Sequence, residues 1–287
     1  MPELPEVQTV VNDLNKKIKG DVVTGFSTVF EKAIKGSSLA EFKKKIIGRK
    51  ILGARRMGKN IFIDLSEGKT LYLHLKMTGH LLVKPKTIEK EDYFSDRVNQ
   101  YIRHSWALQD KKGRIKNLEF SDMRKFGKII LTDTEKIDQL PEISGLGIDA
   151  MDEKFDLKKF QEILARRKNT PIGLILMDQA LIAGIGNIYR SEILFEAGVS
   201  PERKVSFLNE EEIKKIFSWI KKTLTKAIKL RGTSDSDYRD TSGAPGGFQK
   251  VLKVYRRAGK KCKKCATMIT RMKMGQRSVF SCSGCQK

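Results

Sequence analysis

The chain has 287 residues, with 57 Lys or Arg against 34 Asp or Glu, so its formal net charge is +23. That length favours two domains over one and supplies an ample core, while 39% hydrophobic and 32% charged residues describe a folded protein rather than a disordered one. No apolar run approaches the roughly 18–20 residues that span a bilayer, and the amino terminus lacks the basic and apolar regions of a secretory signal, so a cytoplasmic protein is expected, neither secreted nor membrane-spanning. So large a positive excess attracts polyanions and makes nucleic acid the expected partner. No basic amphipathic helix with an aromatic face supports an anionic membrane instead.

In chain order, residues 3–17 read as a helix, because Val7, Val10, Val11 and Leu14 recur on one face and Pro5 is tolerated in a first turn. Glu3 and Glu6 lie three apart at its start. Residues 22–132 change to short β-branched or alternating runs with glycine punctuation, such as Ile61–Leu65, Thr70–Leu75 and Lys128–Leu131, which predicts a β-sandwich. The polar stretch 84–103 reads as a long loop. Past Pro141 the 3.6 period predicts helices over 155–167, 171–178, 187–197 and 210–230, broken at Gly184-Ile185-Gly186 and at Gly198 to Pro201. Such glycine turns present backbone N–H groups to phosphate. The segment before Gly184 reads as helix rather than strand, so a dinucleotide fold is not implied. Residues 231–247, rich in Gly, Ser, Thr and Asp, read as a flexible loop.

All four cysteines fall in the last 26 residues, as Cys262-x-x-Cys265, a 16-residue spacer and Cys282-x-x-Cys285. Two such turns suit one tetrahedral zinc; disulfides or a redox motif would need an oxidising compartment or a neighbouring βαβ pattern. Four thiolates leave no open position, so one structural ion is expected. From Lys250 to Lys287 there are twelve Lys or Arg and no Asp or Glu, with Tyr255 and Phe280 interleaved, the composition of a nucleic-acid clamp. The fold class is therefore α+β multidomain: an amino-terminal helix on a β-sandwich over 1–135, a helical domain over 150–232 and a four-cysteine zinc finger over 248–287.

Met1-Pro2-Glu3-Leu4-Pro5-Glu6-Val7 resembles the start of the formamidopyrimidine-DNA glycosylases, bacterial enzymes that remove 8-oxoguanine and ring-opened purines. Four further segments agree in order. Arg55 to Lys59 is similar to the family's lysine loop. His74-Leu75-Lys76-Met77-Thr78-Gly79 and Asp122-Met123-Arg124-Lys125-Phe126-Gly127 are similar to its two DNA-inserting loops. Met177 to Tyr189 is similar to its helix–two-turns–helix, and Gly275-Gln276-Arg277 to its zinc finger. The endonuclease VIII branch commonly has Gly where this chain has Leu4, and lacks the Met and Arg-x-Phe pattern.

The residues carry a matching chemistry. With Met1 removed, Pro2 presents a secondary amine whose pKa starts near ~7.7–8.0, lowered further by the positive end of a helix, and such an amine is a nucleophile at neutral pH. Attack on a deoxyribose anomeric carbon displaces the base and leaves an iminium, which permits elimination of the flanking phosphates. Glu3 is the candidate for proton transfer and Glu6 for a supporting carboxylate, although acids at a helix start also serve the helix. By the resemblance, Lys59 and Arg277 assist elimination or bind phosphate. Met77 and Phe126 fill the gap left by a flipped base, and Arg124 reads the base opposite, a cytosine. His104 and Asn187 match phosphate-contact positions, and Tyr238 belongs to a DNA-facing lesion-recognition loop over 233–247. The family commonly carries lysine where this chain has Gly173, and a basic residue near Asn169; Arg166, Arg167 or Lys168 are the candidates to supply those contacts. The partner implied is double-stranded damaged DNA, bound by a monomer associated with the bacterial nucleoid. The rival readings are a non-catalytic zinc-finger DNA-binding or lesion-sensing protein, which has no need of an unblocked Pro2, and an endonuclease VIII-like enzyme for oxidised pyrimidines.

Overall fold

The computed structural model describes residues 1–85, 93–235 and 237–287. The chain divides into two compact units, one of Met1–Ser144 with Leu230–Gln249, the other of Gly145–Lys229 with Lys250–Lys287.

The first unit is built from α1 (Leu4–Lys17), α2 (Leu39–Ile46), strands β1 (Val22–Thr28), β2 (Ile34–Lys35), β3 (Ile51–Met57), β4 (Asn60–Leu65), β5 (Lys69–His74), β6 (His80–Pro85), β7 (Ile102–Gln109), β8 (Ile115–Ser121) and β9 (Lys128–Asp133), and α3 (Pro141–Ser144). Two sheets form, β1-β7-β8-β6 and β2-β9-β5-β4-β3. Ile61, Ile63, Leu71 and Leu73 from one sheet and Trp106, Leu108, Leu118 and Phe120 from the other meet in one core. The apolar stripe of α1, Val7, Val10, Val11 and Leu14, completes it, as its spacing predicts. Asn15 fixes α1 to the edge strand, donating to the Ala54 carbonyl at 2.7 Å and accepting the Ala54 N–H at 2.8 Å.

Helix α2 departs from the all-strand expectation for this stretch. Ser38 caps it, accepting the Glu41 N–H, and the Phe42/Ile46 pair at i,i+4 is buried in the core. Of the loop expected over 84–103, residues 86–92 lie outside the described residues. The remainder is more ordered than expected, with 3₁₀ turns at Tyr93–Ser95 and Arg97–Gln100. The segment 231–247, read as flexible, packs into this unit except for Ser236, which is not described. Arg231 reaches Asp13 at 2.5 Å and Asp240 at 2.7 Å, and Thr241 donates to Asp13 at 2.9 Å.

The second unit carries α4 (Leu157–Ala165), α5 (Ile172–Ile175), α6 (Asn187–Ala197) and α7 (Glu210–Lys229), the short strands β10 (Ile148–Asp149) and β11 (Ile182–Ala183), and the hairpin β12 (Thr270–Met274) and β13 (Arg277–Ser281). The helix expected over 171–178 shrinks to one turn. The two residues before Gly184 are strand, not helix, because Ile182 and Ala183 pair in parallel with Ile148 and Asp149. Helix α6 begins where its sequence predicts, at Gly186-Asn187, and ends on Gly198 with φ +76, the left-handed close that favours glycine. No described helix is long and apolar enough to cross a membrane.

Candidate active site and nucleic-acid interface

In the first unit, Pro2, Glu3 and Glu6 are all buried at the start of α1. Glu3 and Glu6 form a capping box, with the Glu3 N–H donating to Glu6 Oε2 at 2.7 Å. The other Glu6 oxygen, Oε1, accepts the Thr233 N–H at 2.7 Å. Gly232 permits that approach: its φ is +79, and a Cβ there would stand 2.6 Å from Glu6 Oε1. The geometry shows the helix-start role of these acids, and the clamp on Glu6 comes from a segment 227 positions away. Sequence patterning alone does not reveal that partner. Tyr238, expected to face DNA, is instead 6% exposed within the core, its hydroxyl 3.4 Å from the Glu6 carbonyl, and burial pushes its phenol well up. An apolar ring a few residues past the acidic Ser234-Asp235 stretch is better satisfied inside than in water.

Lys59 sits in the tight turn between β3 and β4, beside Gly58 with φ +58, and is 7% exposed. Its charge is felt by His74 on the neighbouring strand. Burial, together with Lys76, Lys59 and Lys128, lowers His74 to about 3 and keeps its ring neutral. His74 Nδ1 accepts the Lys76 N–H at 2.9 Å, fixing the start of the β5–β6 loop. His104, expected at a phosphate, is 2% exposed, stacked on Phe26 at 6.3 Å and 2.8 Å from Thr28 Oγ1, and burial lowers it to about 4. It is a neutral core histidine: β7 is covered on that face, which places the ring inward.

Met77, Arg124 and Phe126 do come together. Arg124 Nη1 lies 3.0 Å from Met77 Sδ and its guanidinium stands 4.8 Å from the Phe126 ring centre. Met77, Met123 and Phe126 are 37%, 43% and 51% exposed, among the few large apolar side chains this unit offers to solvent. An apolar pair stacked with a cation at an exposed tip suits insertion into a base stack.

In the second unit, Asn187 and Arg277 line one open cleft of about 600 Å³ with Tyr255, Arg256, Arg271 and Phe280. Gln179 shapes the glycine turn leading to it, accepting the Gly184 N–H at 3.0 Å and donating to the Ile185 carbonyl at 2.7 Å. Lys168 is exposed in a different cleft, with Gln161 and Ser206; Arg166 and Arg167 line a third, of about 290 Å³. Gly173 has no room for a side chain, since a Cβ would meet Met274 Sδ and the Pro201 carbonyl, each at 2.8 Å.

Two buried residues of α6 escape a sequence reading. Arg190, 0% exposed, donates to Asn187 Oδ1 at 2.5 Å, to the Gly173 carbonyl at 3.2 Å and to the Ser278 carbonyl at 3.4 Å. Glu192 accepts the N–H groups of Lys253, Val254 and Tyr255 at 2.8–2.9 Å, while burial pushes its carboxyl up. Both lie within the buried span Ile188–Phe195 of α6, where their charges are met by backbone groups that the sequence does not show.

The four cysteine Sγ atoms lie within 4.8 Å of one another. Separations of 3.3 Å for Cys265–Cys285, 3.4 Å for Cys265–Cys282 and 3.8 Å for Cys262–Cys285 are too long for a disulfide. They suit a tetrahedron with bonds of about 2.3 Å, whose edges are near 3.8 Å. Val254, Ile269 and Phe280 pack against them together with Phe195 of α6.

Three family signatures match the chain in succession: the formamidopyrimidine-DNA glycosylase N-terminal domain over residues 1–129, the H2TH domain of the same enzymes over 146–239, and a zinc finger found in FPG and IleRS over 259–287. Together they define a base-excision-repair type of protein, with helix–two-turns–helix and zinc-finger parts. The formamidopyrimidine-DNA glycosylases of Pelotomaculum thermopropionicum and Carboxydothermus hydrogenoformans are each 38% identical over all of this chain, covering 99% and 100% of those proteins. Lactococcus lactis Fpg, solved with DNA containing an abasic site, is 30% identical with a TM-score of 0.86 over 99% of both chains. The same enzyme has been solved with DNA containing an oxidised pyrimidine, and matches there with a TM-score of 0.85. The chain belongs to the formamidopyrimidine-DNA glycosylase family.

Proposed function

We propose that the protein is a bifunctional DNA glycosylase and AP lyase of base excision repair, acting in the cytoplasm at the nucleoid on oxidised purines, 8-oxoguanine and formamidopyrimidines, in double-stranded DNA. The observation that carries this reading is the start of α1, where Pro2 stands next to two buried acids and Glu6 is held by two backbone N–H groups. The capping box explains acids at a helix start, but not their placement beside a Pro2 that becomes the terminal amine.

With Met1 removed, the Pro2 nitrogen bonds to C1′ of the flipped nucleotide as the C1′–N9 bond breaks, and the base leaves with a proton. Opening of the sugar, with a proton delivered to O4′, gives the iminium; Glu3 is the residue assigned to that transfer and Glu6 orients it. Loss of a C2′ proton then expels the 3′ phosphate, and a second elimination expels the 5′ phosphate. Lys59 and Arg277 bind the departing phosphates. Met77 and Phe126 fill the vacated stack and Arg124 reads the opposite cytosine. Asn187 and Lys168 grip the backbone. One zinc held by Cys262, Cys265, Cys282 and Cys285 is structural and takes no part in the steps. In this division of labour, residues 1–135 carry the chemistry, 150–232 and 248–287 hold DNA, and 233–247 supports the lesion site from within, through Thr233 on Glu6.

The test is borohydride trapping on an 8-oxoguanine:cytosine duplex, with formamidopyrimidine and oxidised-pyrimidine duplexes beside it. The expected result is a covalent adduct that disappears when the amine is blocked and is reduced in Pro2→Gly, which keeps a primary amine in a different setting. Tight binding with neither adduct nor released base on any lesion overturns the enzyme reading. An adduct confined to the pyrimidine duplex moves the substrate class.

A further inference from the structure

We propose that Thr78 and Asp122 are specificity-determining positioning residues: their buried hydrogen bond locks the two tip loops together, so that Met77, Arg124 and Phe126 meet the duplex as one body. This rests on the reading of Arg124 as the group that senses the opposite base.

The β5–β6 and β8–β9 loops are far apart in sequence, and each is sharply bent. Lys76 and Lys125, one in each loop, sit at φ 53° and 57°, where a side chain is disfavoured. Exposed loops of that kind have other conformations available unless something ties them. The tie lies beneath the exposed tip. Thr78 is 5% and Asp122 3% exposed, and Thr78 Oγ1 donates to Asp122 Oδ1 at 2.5 Å. The same threonine oxygen accepts the Arg124 N–H at 3.0 Å, so the backbone carrying the reading guanidinium hangs directly on the other loop. The second Asp122 oxygen accepts the Gly127 N–H at 2.8 Å, closing its own loop. Both loops then seat on one ring: a Cβ at Gly79 would stand 2.6 Å, and one at Gly127 2.5 Å, from Phe120.

Discrimination between bases needs the guanidinium within a few tenths of an ångström of its acceptors, whereas bond cleavage at Pro2 does not use this pair. Loosening the tie therefore lowers the preference for the correct opposite base more than it lowers turnover.

The experiment measures kcat/KM on lesion duplexes with cytosine or adenine opposite, for Thr78→Val, Thr78→Ser, Asp122→Asn and Arg124→Ala, with thermal midpoints to establish folding. The cytosine-over-adenine ratio is expected to fall about tenfold in Thr78→Val and Asp122→Asn, toward the Arg124→Ala value, and to be kept in Thr78→Ser, which retains the hydroxyl. If Arg124→Ala loses the ratio while Thr78→Val and Asp122→Asn keep it, or if Thr78→Ser loses it as Thr78→Val does, the tie is refuted and the reading of Arg124 survives. If Arg124→Ala keeps the ratio, that reading fails and the proposal fails with it. Should Asp122→Asn unfold at the assay temperature, the Thr78 pair decides alone.

Discussion

The two units share one kind of polar tie and differ in what is added to it. In the first, buried carboxylates collect N–H and O–H donors from distant segments: Glu6 from Thr233, Asp13 from Arg231 and Thr241, Asp122 from Thr78. In the second, Glu192 does the same for the Lys253–Tyr255 backbone, and a buried cation and a four-cysteine cluster are added to it. Arg190 gathers Asn187 and two carbonyls, and four cysteines close the hairpin that carries Arg277. A sandwich already has a large apolar core, so polar ties need only orient what stands on it. A tail as short as Lys250–Lys287 cannot bury enough surface to order itself, and a metal site supplies what the core lacks.

The largest break in that comparison comes from metal removal. Structural zinc in small fingers is worth about 10–16 kcal/mol of apparent binding energy. Exhaustive chelation is expected to abolish amide protection over β12 and β13 and to weaken duplex binding more than about a hundredfold, while β4 and β5 keep their protection. Hydrogen exchange read by mass spectrometry checks the protection and a binding titration the affinity, and equal loss of protection in both units would end the distinction.

A smaller effect is expected from Arg190→Met. It leaves Asn187 Oδ1 and two carbonyls without their donor, a cost of about 2–4 kcal/mol for buried acceptors. Thermal unfolding measures that cost. A binding titration sharpens it: with Asn187 gripping the backbone as proposed, affinity is expected to fall several-fold while the salt slope stays unchanged, because a neutral amide releases no counterion.

Residue for residue, the smallest effect is a pH dependence carried by the three histidines, His74, His80 and His104, all in the first unit. Burial lowers each of them, His74 to about 3 and His104 to about 4. A histidine whose folded pKa is depressed stays neutral in the native state while the unfolded chain takes up a proton below about 6.5, so stability is fully present above that pH and lost as pH falls toward 4. The slope approaches about 1.4 kcal/mol per pH unit for each histidine. Urea midpoints at pH 7 and pH 5 measure it, and His104→Gln should flatten the slope by about one histidine's share. An unchanged slope places that ring in water.

Helices α1, α6 and α7 and the strand pairs were legible because each carries its own period and its own glycine or capping punctuation. The clustering of Met77, Arg124 and Phe126, and of the four cysteines, was legible because short motifs hold those residues. Helix α2 was hidden behind flanking β-branched runs, since only Phe42 and Ile46 mark its buried face. The inward turn of His104 and Tyr238, and the packing of 231–247, depend on partners more than 70 positions away in sequence, and no local pattern encodes a partner at that distance. Arg190 was missed for the same reason: a lone arginine reads as solvated until the carbonyls around it are known.

Gly173 carries a consequence for how this lineage can change. The space beside Gly173 is filled by Met274 and the Pro201 backbone, and the Gly173 N–H is itself bonded to the Pro201 carbonyl at 3.0 Å. A single mutation to lysine would strike both, so that residue cannot enter until the hairpin methionine and the turn at Pro201 change first. The glycine is entrenched, and the order in which those three positions can change is set by sterics before selection acts on the enzyme's activity.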